Sequence, residues 1–134
     1  MPKIPGQPTN ERSRPDASPL VIKTYDMVLW LLAHTQKFPK SQRFVLAKRM
    51  EEAALSFQDQ ILWATKTSRK QPALLEADYH LERLRMYNRM ALGLKIQAPN
   101  QFQHLSRALD ELGRLLGGWI RKLRAAAAAR DARA

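Results

Sequence analysis

Four segments of the chain repeat apolar residues at intervals of three and four positions, the spacing of one face of an α-helix. The clearest segment spans residues 105–123, and its apolar stripe contains Leu105, Leu109, Leu112, Leu116, Trp119, Ile120 and Leu123. At about 100° per residue, these side chains lie on one side of the helix. The segment therefore predicts an amphipathic helix that turns this side towards a protein core.

Three earlier segments, at about residues 20–35, 41–66 and 73–95, show the same spacing. Prolines interrupt helices, and a proline lies in each of the three short connectors between the four segments. The predicted core positions of the first three helices are Val21, Thr24, Val28, Leu31, Leu32, Thr35, Phe44, Ala47, Met50, Ala54, Phe57, Ile61, Leu74, Ala77, Leu81, Leu84, Ala91 and Leu92.

Four amphipathic helices joined by short connectors predict an all-α protein, an antiparallel up-down-up-down four-helix bundle. No segment sustains the two-residue alternation of a β-strand, so we expect no sheet. Asn100 and Gln103 have the spacing of a capping box, which predicts that the fourth helix begins at this point.

The two ends of the chain differ from the four helical segments. Residues 1–19 contain five of the eight prolines among small and charged residues, and this composition predicts a flexible tail. Residues 20–124 form the predicted bundle. Residues 125–134 are rich in alanine and arginine, so they favour a helix but offer little to pack, and we expect this tail to fray.

The net charge of +11 on 134 residues is the main compositional feature. Such an excess favours a polyanionic partner, with nucleic acid first and an anionic membrane surface second. The chain has no cysteine, which excludes disulfides and thiolate metal sites and predicts a reducing compartment. No apolar run approaches the ~20 residues of a membrane span. We therefore expect a soluble, cytoplasmic protein.

Two sets of cations are candidates for contact with phosphates or with an acidic protein. Three arginines repeat every seven residues on the side of the fourth helix opposite its apolar stripe, and four more cations cluster at the start of the second helix. The candidates are Arg107, Arg114, Arg121, Lys40, Arg43, Lys48 and Arg49. The alternative is that these charges only solvate the surface.

Several large apolar residues fall outside the predicted core stripes. They are Met27, Trp30, Val45, Trp63, Tyr79, Met86, Met90 and Leu94. Outward tryptophans and methionines on a small bundle favour a partner surface. Self-association through Trp30, Trp63, Met86 and Met90 is the prediction. The alternative is that the helical phase is displaced and some of these residues belong to the core.

The sequence offers no catalytic constellation. His34, His80 and His104 lie on different predicted helices, and no Glu-x-x-His motif occurs, so a di-iron carboxylate bundle is unsupported. There is also no glycine-rich phosphate loop after a strand. We predict no enzymatic activity, no metal site and no cofactor.

Four segments carry a family resemblance. They are KTYDMVLWLL at 23–32, KFPKSQRF at 37–44, LLEADYHLERLR at 74–85 and LDELGRLLGGWIRK at 109–122. In this order and spacing they resemble the accessory variability determinant of diversity-generating retroelements. That family belongs to a wider group of four-helix-bundle proteins that includes the ribosomal-RNA intervening-sequence proteins. The resemblance covers about residues 20–124.

The resemblance implies a non-catalytic partner of a reverse transcriptase. Such proteins assemble as a homopentameric barrel of bundles with a positive surface, bind the reverse transcriptase and its template RNA (and possibly DNA), and enable mutagenic cDNA synthesis. The alternative within the fold is an intervening-sequence-type protein that binds nucleic acid without a reverse transcriptase. From a different class, a membrane-surface or purely structural bundle remains open, although the core requires each helix's apolar stripe and leaves little to insert into a bilayer.

Overall fold

The computed structural model describes residues 18–133, and within them it contains four helices and no β-strand. Helix α1 spans Pro19–Thr35, α3 spans Lys70–Gly93 and α4 spans Pro99–Arg133. Helix α2 is one continuous helical run made of Lys40–Gln42, a π-helical turn at Arg43–Ala47, and Lys48–Lys66. The predicted all-α fold of four helices is confirmed.

The helices pack as a ring in chain order. Helices α1 and α3 each pack against α2 and α4, so α2 and α4 occupy opposite corners. The side chain of His34 at the end of α1 bonds to Gln97 just before α4, whereas Lys23 near the start of α1 pairs with Glu111 further along α4. The two helices are therefore antiparallel, as the short connectors predict.

Local hydrogen bonds fix the points at which α1 and α4 begin. The Ser18 hydroxyl accepts a hydrogen bond from the Val21 amide at 3.3 Å, and Pro19 follows at the first helical position, where its missing N–H costs nothing. Before α4, the Ala98 amide donates to Gln101 Oε1 at 2.9 Å. The predicted capping box of Asn100 and Gln103 is therefore wrong by two residues, because the helix begins at Pro99.

The core is built largely from the predicted stripes. Leu105, Leu109, Leu112, Leu116 and Ile120 of α4 are all buried, and the largest fully buried side chain is Phe57 of α2. Trp119 and Leu123, predicted as core, are half-buried and lie at its edge. The burial pattern shows that α4 has the predicted phase.

In the earlier helices, the burial of two residues is the reverse of the prediction. Phe44, predicted as core, is 81% exposed, because the wider π-helical turn rotates less per residue and carries it from the edge of the stripe to the outside. Leu46 is buried instead. Met27, predicted to face outwards, is only 3% exposed, because α1 turns this side towards α4.

The two predicted tails have different outcomes. The N-terminal tail falls mostly on residues 1–17, which lie outside the described residues, and Ser18 and Pro19 already form the start of α1. Helix α4 continues to Arg133, about ten residues past Leu123, and thus includes residues 125–133 of the predicted C-terminal tail. Fraying of this exposed extension stays a prediction.

Candidate nucleic-acid and partner surfaces

The first basic surface is a ridge along α4 formed by Arg107, Arg114 and Arg121, here called the α4 ridge. All three residues are exposed on the side opposite the buried leucines. Arg114 Nη2 lies 3.3 Å from Glu111 Oε1, which balances part of its charge. The balance is only partial because Lys23 Nζ lies 3.2 Å from the same oxygen and shares the carboxylate. The ridge is therefore available to a ligand, with its strongest excess of charge at its two ends.

Near its C-terminal end the α4 ridge borders a cavity of about 510 Å³ between α4 and the start of α1. The cavity has apolar walls and a rim of cations, and its lining includes Leu20, Leu115, Trp119, Arg114, Arg121 and Lys122. An aromatic ring beside cations binds nucleotides through stacking and phosphate contact.

Sequence reasoning missed this cavity because it assigned Trp119 wholly to the core. Gly118, which also lines the cavity, was the available signal, since a glycine beside a tryptophan leaves space that a side chain would fill.

The second basic surface is the group of Lys40, Arg43, Lys48 and Arg49 at the start of α2, here called the α2 cluster. All four residues are exposed, and Arg43 Nη2 donates to the Gln36 carbonyl oxygen at 3.0 Å across the α1–α2 connector. Because α2 and α4 occupy opposite corners, their outer sides face away from each other. The predicted cations therefore form two separate surfaces.

Arg85 is a cation that the bundle uses internally. Its side chain crosses from α3 to α4, where Nη2 donates to the Leu109 carbonyl oxygen at 3.5 Å, while Nη1 pairs with Glu82 at 2.9 Å. A Cβ atom at Gly113 would lie 2.5 Å from Arg85 Nη2, so the glycine makes room for the crossing. This guanidinium is committed to holding the two helices together.

Helix α3 carries a line of exposed apolar side chains, here called the α3 stripe: Leu75, Tyr79, Met86 and Met90. Intervals of four, seven and four residues keep them on one side of the helix. Of the residues predicted to face a partner, Met86 is 53%, Met90 45% and Trp63 58% exposed. An exposed apolar line of this length is typical of a surface that contacts another protein.

The fourth predicted interface residue, Trp30, has a different setting. Trp30 is half-buried, and its ring lies between the rings of His34 and His104, with 4.5 Å between centroids in each pair. The stack joins α1 to α4. Trp30 therefore already has an intramolecular role, which sequence reasoning did not identify.

A second apolar surface lies along α1 and α2 and consists of Tyr25, Leu29, Leu55 and Leu62, here called the α1–α2 patch. These side chains are 37–48% exposed. The hydrogen bond from Thr35 Oγ1 to Glu51 Oε2, at 2.5 Å, fixes the register of the two antiparallel helices and brings Tyr25 level with Leu62. The bundle thus presents apolar surfaces on two different sides, the α1–α2 patch and the α3 stripe.

A buried polar network ties three helices together where α3 turns into α4. Gln97 Nε2 donates to the Asn88 carbonyl oxygen at 3.1 Å and to Asn88 Oδ1 at 2.5 Å, so its Oε1 accepts from His34 Nε2 at 2.9 Å. Asn88 Nδ2 in turn donates to the Phe102 carbonyl oxygen and to Ser106 Oγ. The network is internally satisfied and has the geometry of a structural support.

His80 is the histidine with a shifted pKa. Burial lowers its pKa from the ordinary 6.5, the neighbouring Arg83 lowers it further, and Glu76 opposes both. Arg83 Nη1 donates to His80 Nδ1 at 3.1 Å, and Nε2 lies 3.5 Å from Glu76 Oε1, an arrangement that requires a neutral ring. Sequence reasoning missed the Glu76–His80 pair, although its four-residue spacing on one helix was visible.

The lowered pKa of His80 predicts that the folded protein loses stability in mild acid. Below pH 6.5 the His80 ring of the unfolded chain binds a proton, while the ring of the folded chain stays neutral. The part of the free energy of unfolding that is present above pH 6.5 is therefore lost as the pH falls towards the lowered pKa of the folded state. We expect the free energy of unfolding to fall more between pH 7.5 and 5 in the wild type than in His80→Gln. Urea denaturation at both pH values measures it, and equal losses in the two proteins would contradict it.

Within residues 18–133 no group of three or more histidine, aspartate or glutamate side chains is placed to hold a metal ion. In the same part of the chain, no helix combines the length and apolar character needed to cross a bilayer.

Comparisons with known proteins extend this description. The model of the bAvd-like family matches residues 20–123, which covers all but the last part of the described helices. No curated protein matches the chain.

Proposed function

The chain belongs to the bAvd-like family, and we propose that it is a non-catalytic accessory subunit of a diversity-generating retroelement. In this role it binds the element's reverse transcriptase and template RNA, and it enables mutagenic cDNA synthesis in the cytoplasm. The family, which consists of accessory proteins of the Avd type, supports the general role. The residues that make each contact are the specific part of the proposal.

The observation that carries the nucleic-acid part is the separation of charge from core in α4. The buried leucines face one way, and the α4 ridge faces the other. Arginine supplies a fork of N–H donors that suits phosphate oxygens, and such contacts attract nucleic acid of any sequence. The half-buried Trp119 beside Arg121 and Lys122 adds a surface on which an unpaired base stacks.

The two apolar surfaces support assembly of the subunit with itself. A closed ring of identical subunits needs two different, complementary faces on each copy, because every contact in it is heterologous. The α3 stripe and the α1–α2 patch lie on different sides and suit this requirement. The proposed assembly is a homopentamer in which the α3 stripe of one subunit packs on the α1–α2 patch of the next.

Replacing the three arginines of the α4 ridge tests this function. We expect Arg107→Gln/Arg114→Gln/Arg121→Gln to melt within a few degrees of wild type, because exposed substitutions change stability by less than about 0.5 kcal/mol each. The same variant should lose template-RNA binding and support little cDNA synthesis. Circular dichroism and sizing measure fold and assembly, while co-purification with the reverse transcriptase and a cDNA assay measure function.

The matched control is the triple arginine-to-lysine variant, which keeps the three charges and should retain most RNA binding. Full cDNA synthesis by the glutamine variant would remove the α4 ridge from the mechanism and direct attention to the α2 cluster. RNA binding by the wild type without any association with the reverse transcriptase would favour the alternative function, that of an intervening-sequence-type protein.

A further inference from the structure

The end of α4 extends past the rest of the bundle. Helix α4 has 35 residues, whereas α1 has 17 and α3 has 24. At 1.5 Å per residue these lengths are about 52, 26 and 36 Å. The last turns of α4, residues 124–133, therefore project beyond the helices beside it. Most of this projection is exposed, but Ala127 is half-buried, which shows that one side of it lies against the chain.

That side faces the connector between α2 and α3 across a cleft of about 460 Å³, here called the end cleft. Leu123, Ala127 and Arg130, spaced by four and three residues, line it from α4. Arg69 and Lys70 line it from the connector and the first residue of α3. The cleft therefore has a small apolar floor and cations on both walls.

The charges of the end cleft are only partly used within the chain. Lys70 Nζ donates to the carbonyl oxygens of Ala64 and Thr67 at 2.8 and 3.0 Å, which satisfies the end of α2 and holds the ammonium group in place. Among the described residues, no carboxylate lies within ion-pair distance of Arg69 or Arg130. Asp131, the acidic residue of the projection, does not line the cleft.

We propose that the end cleft is a separate binding site for the phosphodiester backbone of single-stranded nucleic acid. Arg69 and Arg130 lie on facing walls and supply forks of N–H donors that suit phosphate oxygens, and the fixed Lys70 adds a point charge. No aromatic side chain lines the cleft, so it reads the backbone and not the bases. Its volume of about 460 Å³ accommodates a phosphate with its sugar, and the template RNA of the proposed function supplies such a backbone.

An acidic polypeptide suits the end cleft less well. Leu123 and Ala127 are its apolar floor, which is too small to anchor the side chains of a peptide. The inference rests on the proposed nucleic-acid role, and it locates a contact outside both the α4 ridge and the α2 cluster.

The test uses the full chain and a labelled single-stranded RNA of about 20 nucleotides. Affinity is measured by fluorescence anisotropy over a range of salt concentrations for the wild type and for Arg69→Gln/Arg130→Gln. Each phosphate contact contributes about 0.7 to the slope of log affinity against log salt for single strands. Because the two arginines share one phosphate, we expect the slope of the double variant to be smaller by about 0.7. Lys70 is left unchanged because it caps α2.

The matched control is Arg124→Gln/Arg133→Gln, which removes the same charge from the same projection but outside the cleft. Its slope should stay close to that of the wild type. If the wild type binds RNA, and the two double variants lower the slope equally or the cleft variant leaves it unchanged, the end-cleft inference would be overturned. The proposed nucleic-acid function would then still stand. A wild type without RNA affinity would overturn the inference together with the nucleic-acid part of the proposed function.

Two further measurements address other occupants of the end cleft. Loss of labelled polyglutamate binding by the cleft variant, with RNA binding unchanged, would assign the cleft to an acidic polypeptide and overturn the inference. A smaller assembly of the cleft variant on sizing would assign the cleft to subunit contact, with the same consequence. Unchanged circular dichroism is expected for both double variants, since glutamine preserves helix propensity.

Discussion

Asn88→Leu is expected to lower the free energy of unfolding by about 2–4 kcal/mol, although leucine is similar in size and more apolar. Asn88 is 1% exposed, and its side chain connects Gln97, Ser106 and the Phe102 carbonyl oxygen. Each buried polar group left without its partner costs about 1–3 kcal/mol. Thermal melting should show the midpoint falling by about 10 °C.

The control is Asn100→Leu, the same substitution at an exposed position near the start of α4, where the change should stay within about 0.5 kcal/mol. Because Asn88 and Gln97 bond directly, their effects should not add, and Asn88→Leu/Gln97→Leu should cost less than the two single variants together. A midpoint for Asn88→Leu within 2 °C of wild type would show that the network contributes little.

Met86→Glu/Met90→Glu is expected to convert the proposed pentamer into a monomer. Both side chains lie on the α3 stripe and are about half exposed in the single chain, so the bundle itself should tolerate the change. Two carboxylates buried against the apolar α1–α2 patch of a neighbour would be unpaired, and burying an unpaired charge is strongly unfavourable. Sedimentation should report one chain of 15.4 kDa instead of five.

The control for Met86→Glu/Met90→Glu is a variant that adds two negative charges at another surface of the bundle. Asn100→Asp/Gln103→Glu changes exposed residues of α4 outside the α3 stripe and should leave the assembly intact. A wild-type protein that sediments as a stable monomer would contradict the assembly itself. A Met86→Glu/Met90→Glu variant of unchanged size would show that another surface makes the contact.

The sequence predicts most of the fold because the core depends on helical periodicity. The phase of α4 follows from leucines that repeat every three or four residues, and all five of the buried positions on that helix were expected. The phase of α1 is harder to derive from the sequence, since every residue from Met27 to Ala33 is apolar. Met27 and Leu32 could both be core on pattern alone, and the packing of α4 decides between them.

The π-helical turn in α2 could not be predicted, because it breaks the periodicity on which the prediction depends. Residues 43–47 have an ordinary composition for an α-helix, so the displacement of Phe44 has no local signature. The polar network is similar, since Asn88 and Gln97 are common surface residues. Asn88 is buried because it lies on the core side of α3, and Gln97 is buried because the turn between α3 and α4 places it against Asn88 and His34.

The candidate sites were predictable only where they lie on one helix. The α4 ridge follows from a seven-residue repeat, and its three arginines are exposed in the structure, while their role in binding stays a prediction. The end cleft depends instead on residues 69 and 130, which are separated by most of α3 and α4, and no pattern in a single sequence connects them. Sites formed between elements required the structure.

The π-helical turn also bears on how the length of this chain can vary. Such a turn holds the residues of an α-helical turn plus one, so deleting one residue between positions 43 and 47 would give an ordinary α-helix. The connector before Lys40 and the core from Met50 onwards would keep their places. This chain should therefore tolerate the loss of one residue at this turn without a compensating change elsewhere, while the same deletion in the middle of α4 would rotate half of its leucines out of the core.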